Sequence, residues 1–344
     1  MKGSVFMHEI DLSKYRLRTD LIVEHLNNFK GYNKEEEQYK DIKIETINLD
    51  KNNAKLISKK EGIYKTIYFE DVTDEDNFNN LLYSTIIALK DLFKKINIKD
   101  NNSCLIVGLG NRKATPDALG PLTVDSIKIT RQIVELGLPL DNKYRVISSI
   151  VPGVMGTTGI ETKEIIEGVI EKTKPDFLIV IDALAASSIE RINKTIQITD
   201  TGIHPGSGLL NNRFEISKET LGIPVIAIGI PTVVDATTIV SNTINYIFRH
   251  FSYEKENINN NKLKLVPSNS RDYKNHDKTL NKEEREEVMG LIGNLTEDEI
   301  KALITEVLTP LGYNLLVTPK EIDFVIEKLS LLLSKALNKS LELN

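Results

Sequence analysis

The 344-residue chain is expected to form an α/β fold, a three-layer sandwich around a mostly parallel sheet, with β-rich N-terminal additions and a helical C-terminal tail. Two observations lead there. Short apolar runs at Cys104–Leu109, Val146–Val151, Phe177–Ile181 and Val225–Ile230 alternate with helical stretches at Leu122–Leu136, Ile160–Thr173 and Ala236–Phe251. Alternating strands and helices call for parallel strands buried on both faces, and the solidly apolar Phe177-Leu178-Ile179-Val180-Ile181 suits such burial.

The remaining elements follow in order. Met1 to about Leu21 precedes the first clear periodic element and has the look of a detachable leader. Ile42 and Ile44 alternate with polar residues. Ala54–Ser58 and Gly62–Phe69, on either side of a Lys-Lys-Glu turn, form a β-hairpin pattern. Phe78, Leu82, Ile86, Leu89 and Phe93 repeat at helical spacing. Beyond the core, Tyr253–Lys282 is polar and aperiodic and is expected to be a mobile loop. Helices are expected over Thr296–Leu308, opened by a Thr296/Glu299 capping box, and over Pro319–Leu337.

Composition excludes several classes. Apolar residues make up 40% and charged residues 27%, which rules out intrinsic disorder. No apolar run approaches the ~18 residues of a membrane span, and the N-terminus lacks the apolar stretch of a secretory signal. A net charge of -5 argues against direct nucleic-acid binding. One cysteine, Cys104, leaves no intramolecular disulfide; set in an apolar strand, it is expected to be a packed thiol. The expectation is a cytoplasmic protein without cofactor, metal site or membrane contact.

In an open parallel sheet, reactive groups gather past the carboxyl ends of the strands. Asp117, Asp182 and Asp235 each follow a core strand. Each could simply cap a helix. Two that converge would have their pKa values driven apart and could divide acid and base roles. His204 lies in the loop Thr201-Gly202-Ile203-His204-Pro205-Gly206-Ser207-Gly208, either as a site residue or as a polar loop residue. Other short patterns fail. Gly108-Leu109-Gly110 has Lys113 where a dinucleotide loop needs its third glycine. Asp200-Thr201-Gly202 matches the pepsin triplet only once, and Gly206-Ser207-Gly208 lacks the nucleophile-elbow spacing.

Together the longer motifs resemble the germination protease family of spore-forming bacteria. They are Val107-Gly108-Leu109-Gly110-Asn111 with Thr115-Pro116-Asp117-Ala118-Leu119-Gly120-Pro121, Ile181-Asp182-Ala183-Leu184-Ala185-Ala186, Thr199 to Gly208, and Ile228 to Ala236. The resemblance runs from Asp11 to Glu321. It implies an endopeptidase made as a zymogen in the forespore and kept in the spore core, which degrades small acid-soluble spore proteins at germination. It also implies a homotetramer, a fold similar to hydrogenase-maturation peptidases, and an atypical aspartic mechanism whose two aspartates fall on Asp117 and Asp182. Asn111, His204 and Asp235 are secondary site candidates. Ser187-Ser188 departs from the family pattern, in which an arginine is expected. Two other readings stay open: a metallopeptidase like the hydrogenase-maturation enzymes, and a non-enzymatic peptide-binding protein.

Arg18-Thr19-Asp20-Leu21-Ile22-Val23-Glu24 resembles the family's substrate signature, with cleavage after an acid and before an apolar residue. The expected self-processing bond joins Asp20 to Leu21, which divides the chain into a propeptide, 1–20, and a single peptidase domain, 21–344. The competing role for Asp20 is to cap a helix starting near Leu21.

Overall fold

The computed structural model describes residues 19–26, 32–141, 143–204, 215–259, 276, 278–308 and 315–343. The elements in chain order are α1 (Ile22–His25), β1 (Asn33–Tyr39), β2 (Ile42–Leu49), α2 (Lys51–Leu56), β3 (Gly62–Tyr68), α3 (Glu75–Lys95), β4 (Cys104–Gly108), α4 (Leu119–Asp125), α5 (Arg131–Glu135) and β5 (Ile147–Ile150). They continue with α6 (Met155–Thr158), α7 (Thr162–Thr173), β6 (Phe177–Ala186), β7 (Thr195–Thr199), α8 (Lys218–Leu221), β8 (Val225–Asp235) and α9 (Ala236–Asn257). The last are α10 (Lys282–Met289), α11 (Glu297–Leu308), β9 (Leu316–Val317) and α12 (Ile322–Ser340). The described residues of 18–233 and 318–344 form one compact unit and those of 234–317 another.

The larger unit is an α/β sandwich. Its strands run β1-β2-β3-β7-β8-β6-β4-β5 across the sheet. β6, β4 and β5 are parallel, in the register Cys104↔Phe177 and Cys104↔Ile147. β1, β2, β3 and β7 are antiparallel additions. Alternation along the central strands sends side chains to two cores. Phe177, Ile179 and Ile181 face one core with Leu89 and Leu92 of α3 and Leu329, Leu332 and Leu333 of α12. Leu178 and Val180 face the other with Leu105, Val107 and Ile166 of α7. Helices on both faces make the three layers expected from the alternating pattern.

Several boundaries differ from the sequence reading. Ala54 belongs to a helix, not a hairpin strand, because the Asp50 carboxylate accepts from the amides of Asn52 and Asn53 at 2.9 Å and starts a turn there. β3 pairs instead with β2 and β7. β1 is a charged strand, Asn-Lys-Glu-Glu-Glu-Gln-Tyr, held at an outer position of the sheet where charge discourages further pairing. The Leu122–Leu136 helix is two shorter ones, α4 and α5. β6 runs five residues past Ile181, which puts Asp182 inside a strand.

In the second unit, β9 pairs with the last residues of β8, Val234↔Val317. α9 continues to Asn257, so the first part of the expected loop 253–282 is helix; residues 260–275 and 277 of that loop lie outside the described residues. The capping box of α11 is present, with Thr296 N–H donating to Glu299 at 2.7 Å. Among the described residues no helix is long and apolar enough to cross a membrane.

Candidate functional site

β4 ends beside Ile181 of β6, which continues to Ala186. Their last register pair is Gly108↔Ile181, and Leu109 N–H donates to the Ile181 carbonyl at 2.8 Å. The chain leaving β4 then makes a close turn. Gly110 adopts φ +110°, in the left-handed half of the map, and a Cβ there would lie 2.0 Å from the Asp117 carbonyl oxygen and 3.0 Å from Asp117 Oδ1. Only glycine fits on both counts. Asn111 Oδ1 accepts from Lys113 N–H at 3.0 Å and sets the turn, while Asn111 N–H donates to Asp117 Oδ2 at 2.7 Å and ties the loop shut. Thr115–Asp117 forms one 3₁₀ turn with Pro116 near its start, and the Pro116 carbonyl accepts from Thr232 Oγ1 at 2.7 Å. Asp117 is therefore the acceptor that closes its own loop, and it does not cap α4, whose N-cap Ala118 has no side-chain cap.

Glycine also brings α4 down onto the two strand ends. A Cβ on Gly120 would lie 2.4 Å from the Leu109 carbonyl oxygen and 2.6 Å from that of Ile181, and one on Gly108 would lie 2.4 Å from the Gly120 oxygen. The helix start, the end of β4 and β6 at Ile181 are packed backbone to backbone. Asp182 follows Ile181 on β6 and is 7% exposed. Its Oδ1 accepts from Ala183 N–H at 2.9 Å. Asp117 thus lies in the loop after β4, the helix that follows it packs on the Leu109 and Ile181 carbonyls, and Asp182 is the next residue of β6 after Ile181. Carboxylates that converge can share a water between them.

The secondary candidates fare differently. Asn111 belongs to the Asp117 loop. Asp235 caps α9, its Oδ1 accepting from Thr237 N–H at 2.7 Å. His204 is about half exposed and pairs with Glu215 at 3.4 Å; the rest of its loop, 205–214, lies outside the described residues. Asp200, of the pepsin-like triplet, accepts from Ile63 N–H at 2.7 Å, and burial raises its pKa. Cys104 is buried in the core, which pushes its thiol well above the usual range. Ser188 caps a short 3₁₀ turn. Among the described residues no three His, Cys, Asp or Glu side chains are grouped to hold a metal ion.

The sequence reading missed a clasp around the expected processing bond. Leu21 and Ile22 are fully buried. Asp20 N–H donates to the Ala185 carbonyl at 3.3 Å, and Asp20 Oδ2 accepts from Ala185 N–H at 3.0 Å. Gln197, on β7, donates through Nε2 to the Asp20 carbonyl at 3.1 Å and accepts from Ile22 N–H at 2.7 Å. The Thr19 carbonyl accepts from Lys59 Nζ at 3.3 Å and lies 3.1 Å from His25 Nε2. Burial, with Lys59 nearby, lowers the His25 pKa below its ordinary 6.5. Asp20 does not cap α1, whose N-cap is Leu21. A β-branched or polar residue in the leader gives no local sign of these partners, which come from strands far along the chain.

Known sequences match nearly the whole chain. The peptidase A25 family model, described as germination protease, matches residues 10–344. The germination protease of Bacillus subtilis is 45% identical over 97% of this chain and 95% of its own. That of Priestia megaterium is 46% identical over the same shares. A NiFe hydrogenase maturation protease from Thermococcus kodakarensis aligns with 42% of this chain and 80% of its own, at 22% identity and a TM-score of 0.27.

Proposed function

This chain belongs to the germination protease family and is a peptidase, and we propose that it is an endopeptidase, made as a zymogen, that begins the degradation of small acid-soluble spore proteins at germination. The proposal places it in the forespore and spore core, as a homotetramer, on the strength of the resemblance. Asp117 and Asp182 are its catalytic pair. The observation that carries this reading is the packing of the Asp117 loop and the start of α4 onto the point where β4 ends beside Ile181, the residue before Asp182.

In the proposed reaction, one carboxylate, ionised, takes a proton from water as it attacks the peptide carbonyl. The other, protonated, polarises the carbonyl oxygen through a hydrogen bond and then passes its one proton to the leaving nitrogen, after which the proton taken from water restores it. Peptide and water become a carboxylate and an ammonium group, with no net consumption of protons by the pair. Asn111 N–H donates to Asp117 Oδ2 and Ala183 N–H to Asp182 Oδ1, so each carboxylate carries a backbone donor and either acid can take either role.

Self-processing is proposed at Asp20–Leu21. Asp20 pairs with Ala185, three residues beyond Asp182, so the bond lies ~10 Å along the strand from that acid. Cleavage then requires the clasp to open, or another copy of the chain to supply the acids. Incubation of the activated protein with a purified small acid-soluble spore protein tests the function. Fragments ending in an acid and beginning with an apolar residue are expected, with a mature enzyme that starts at Leu21. An intact substrate, or fragments of unrelated sequence, would overturn it.

A further inference from the structure

The group that will face Leu21 once the leader is gone is already in place. Leu21 N–H donates to Thr19 Oγ1 at 3.1 Å, and Thr19 Oγ1–H donates in turn to Glu24 Oε2. Leu21 is the N-cap of α1 and Glu24 its N3 residue. In an ordinary capping box the N3 glutamate reaches the N-cap amide directly. Here one hydroxyl, on the leader side of the processing bond, stands between them. Glu24 is otherwise committed to the protein: Oε2 accepts from Ser187 N–H at 2.8 Å, and Oε1 faces Arg191 Nε at 3.4 Å without a hydrogen bond. Its side chain is only 2% exposed.

Hydrolysis of the Asp20–Leu21 bond adds the elements of water, leaving a carboxylate on Asp20 and an ammonium on Leu21. Thr19 and its hydroxyl depart with the leader. A buried carboxylate then loses one donor just as a new cation with three N–H donors appears no more than about 6 Å away, two hydrogen-bond lengths. We propose that Glu24 is the binding site for the α-ammonium of Leu21 in the processed chain, and that this ion pair holds the new N-terminus against the end of β6. The inference rests on processing at Asp20–Leu21.

The consequence reaches the strand that carries Asp182. Before cleavage, Asp20 and Glu24 both fasten the segment after it, through Ala185 and Ser187. Afterwards the Asp20 hold is gone and Glu24, balanced by the ammonium, keeps its own. Leader loss thereby releases one tie on β6 while retaining the other. The other charges in this neighbourhood are Arg191 and Lys59, both cations, together with His25 and, until cleavage, Asp20. Loss of the Asp20 side chain removes one negative charge, and the ammonium adds a positive one, so Glu24 becomes the remaining anion among these groups.

Labelling of the α-amine by acetic anhydride at pH 7, read by mass spectrometry of the N-terminal peptide, tests this on the processed full-length enzyme. An ordinary α-amine titrates near pH 7.7–8.0, and raising its pKa by about one unit reduces the reactive free base about tenfold. Leu21 is expected to label at least about tenfold more slowly than an N-terminus in the denatured enzyme, and Glu24→Gln to restore most of that rate. If Glu24→Gln does not fold, the wild-type pH profile decides. The paired ammonium has a raised pKa in the folded state, so its stabilisation is complete below about pH 7.7 and is lost as pH rises through the higher value. The processed enzyme should then lose thermal stability above pH 8 more steeply than the unprocessed chain. A mature chain beginning elsewhere than Leu21 would overturn both the processing assignment and the ion pair. Processing at Leu21 with ordinary labelling and a parallel pH profile would overturn the ion pair alone.

Discussion

Replacing Gly110 with alanine is expected to separate the placement of Asp117 from the stability of the sheet beneath it. The perturbation has two parts. A side chain at φ +110° carries backbone strain of about 1–2 kcal/mol. The new Cβ would also stand 2.0 Å from the Asp117 carbonyl oxygen, so the loop must shift, and forced displacement in a packed region costs about 1–3 kcal/mol. Reduced freedom of the unfolded chain returns about 0.4–1 kcal/mol. The net loss is about 1–4.5 kcal/mol, or roughly 2–18 °C in Tm for a unit of this size. Gly137→Ala is the control, since it has φ +68° but nothing within 4 Å of the added Cβ, and should cost only about 1 kcal/mol. Thermal unfolding and peptide cleavage, measured on both variants below their midpoints, give the result. Gly110→Ala should lose about 100-fold in kcat/KM, the penalty for moving a reacting group by about 1 Å, while Gly137→Ala keeps its rate. Equal Tm shifts for the two variants, or full activity in Gly110→Ala, would refute the reasoning.

Three further outcomes follow from the same geometry. Gln197→Ala removes both side-chain bonds that brace the processing site and is expected to speed leader loss by several-fold, read by N-terminal sequencing over time. His25 has its pKa lowered by burial, so the clasp is most stable above pH 6.5 and loosens as pH falls below it; His25→Gln should flatten the acid dependence of processing between about pH 6.5 and 5. The Asp200 pKa is raised by burial, so its contribution favours the fold below about pH 3.8 and is lost as pH rises. Asp200→Asn retains an acceptor for Ile63 N–H and is expected to raise Tm at pH 7 more than at pH 4, measured by calorimetry.

The sequence made the parallel core legible because its strands are buried on both faces. Cys104–Gly108 and Phe177–Ile181 have almost no polar residue to obscure them. β1 escaped notice for the opposite reason: a strand with both faces exposed carries no apolar alternation to read. Ala54 and Leu56 satisfied a strand pattern as well as a helical one, and the Asp50 cap decided between them. At the site, Asp117 and Asp182 were visible as acids after strands, but the extension of β6 through Ala186 was not, since Ala183-Leu184-Ala185-Ala186 favours a helix by propensity. Pairing across the sheet overrode that preference. The clasp was out of reach of local reading because Gln197 and Asp20 are 177 residues apart. The clasp also holds His25, whose pKa is lowered by burial and which touches the Thr19 carbonyl.

The pairing of Asp117 with Asp182 is tested most directly by cleavage of one small acid-soluble spore protein by the processed wild-type enzyme and by Asp117→Asn and Asp182→Asn, with and without a chelator. Circular dichroism and Tm establish that each variant is folded. The expected result is that either substitution lowers kcat by about 100-fold or more, while chelator leaves the wild-type rate unchanged. Wild-type cleavage by either folded variant, or chelator inactivation reversed by added metal, would contradict an aspartate pair acting on water.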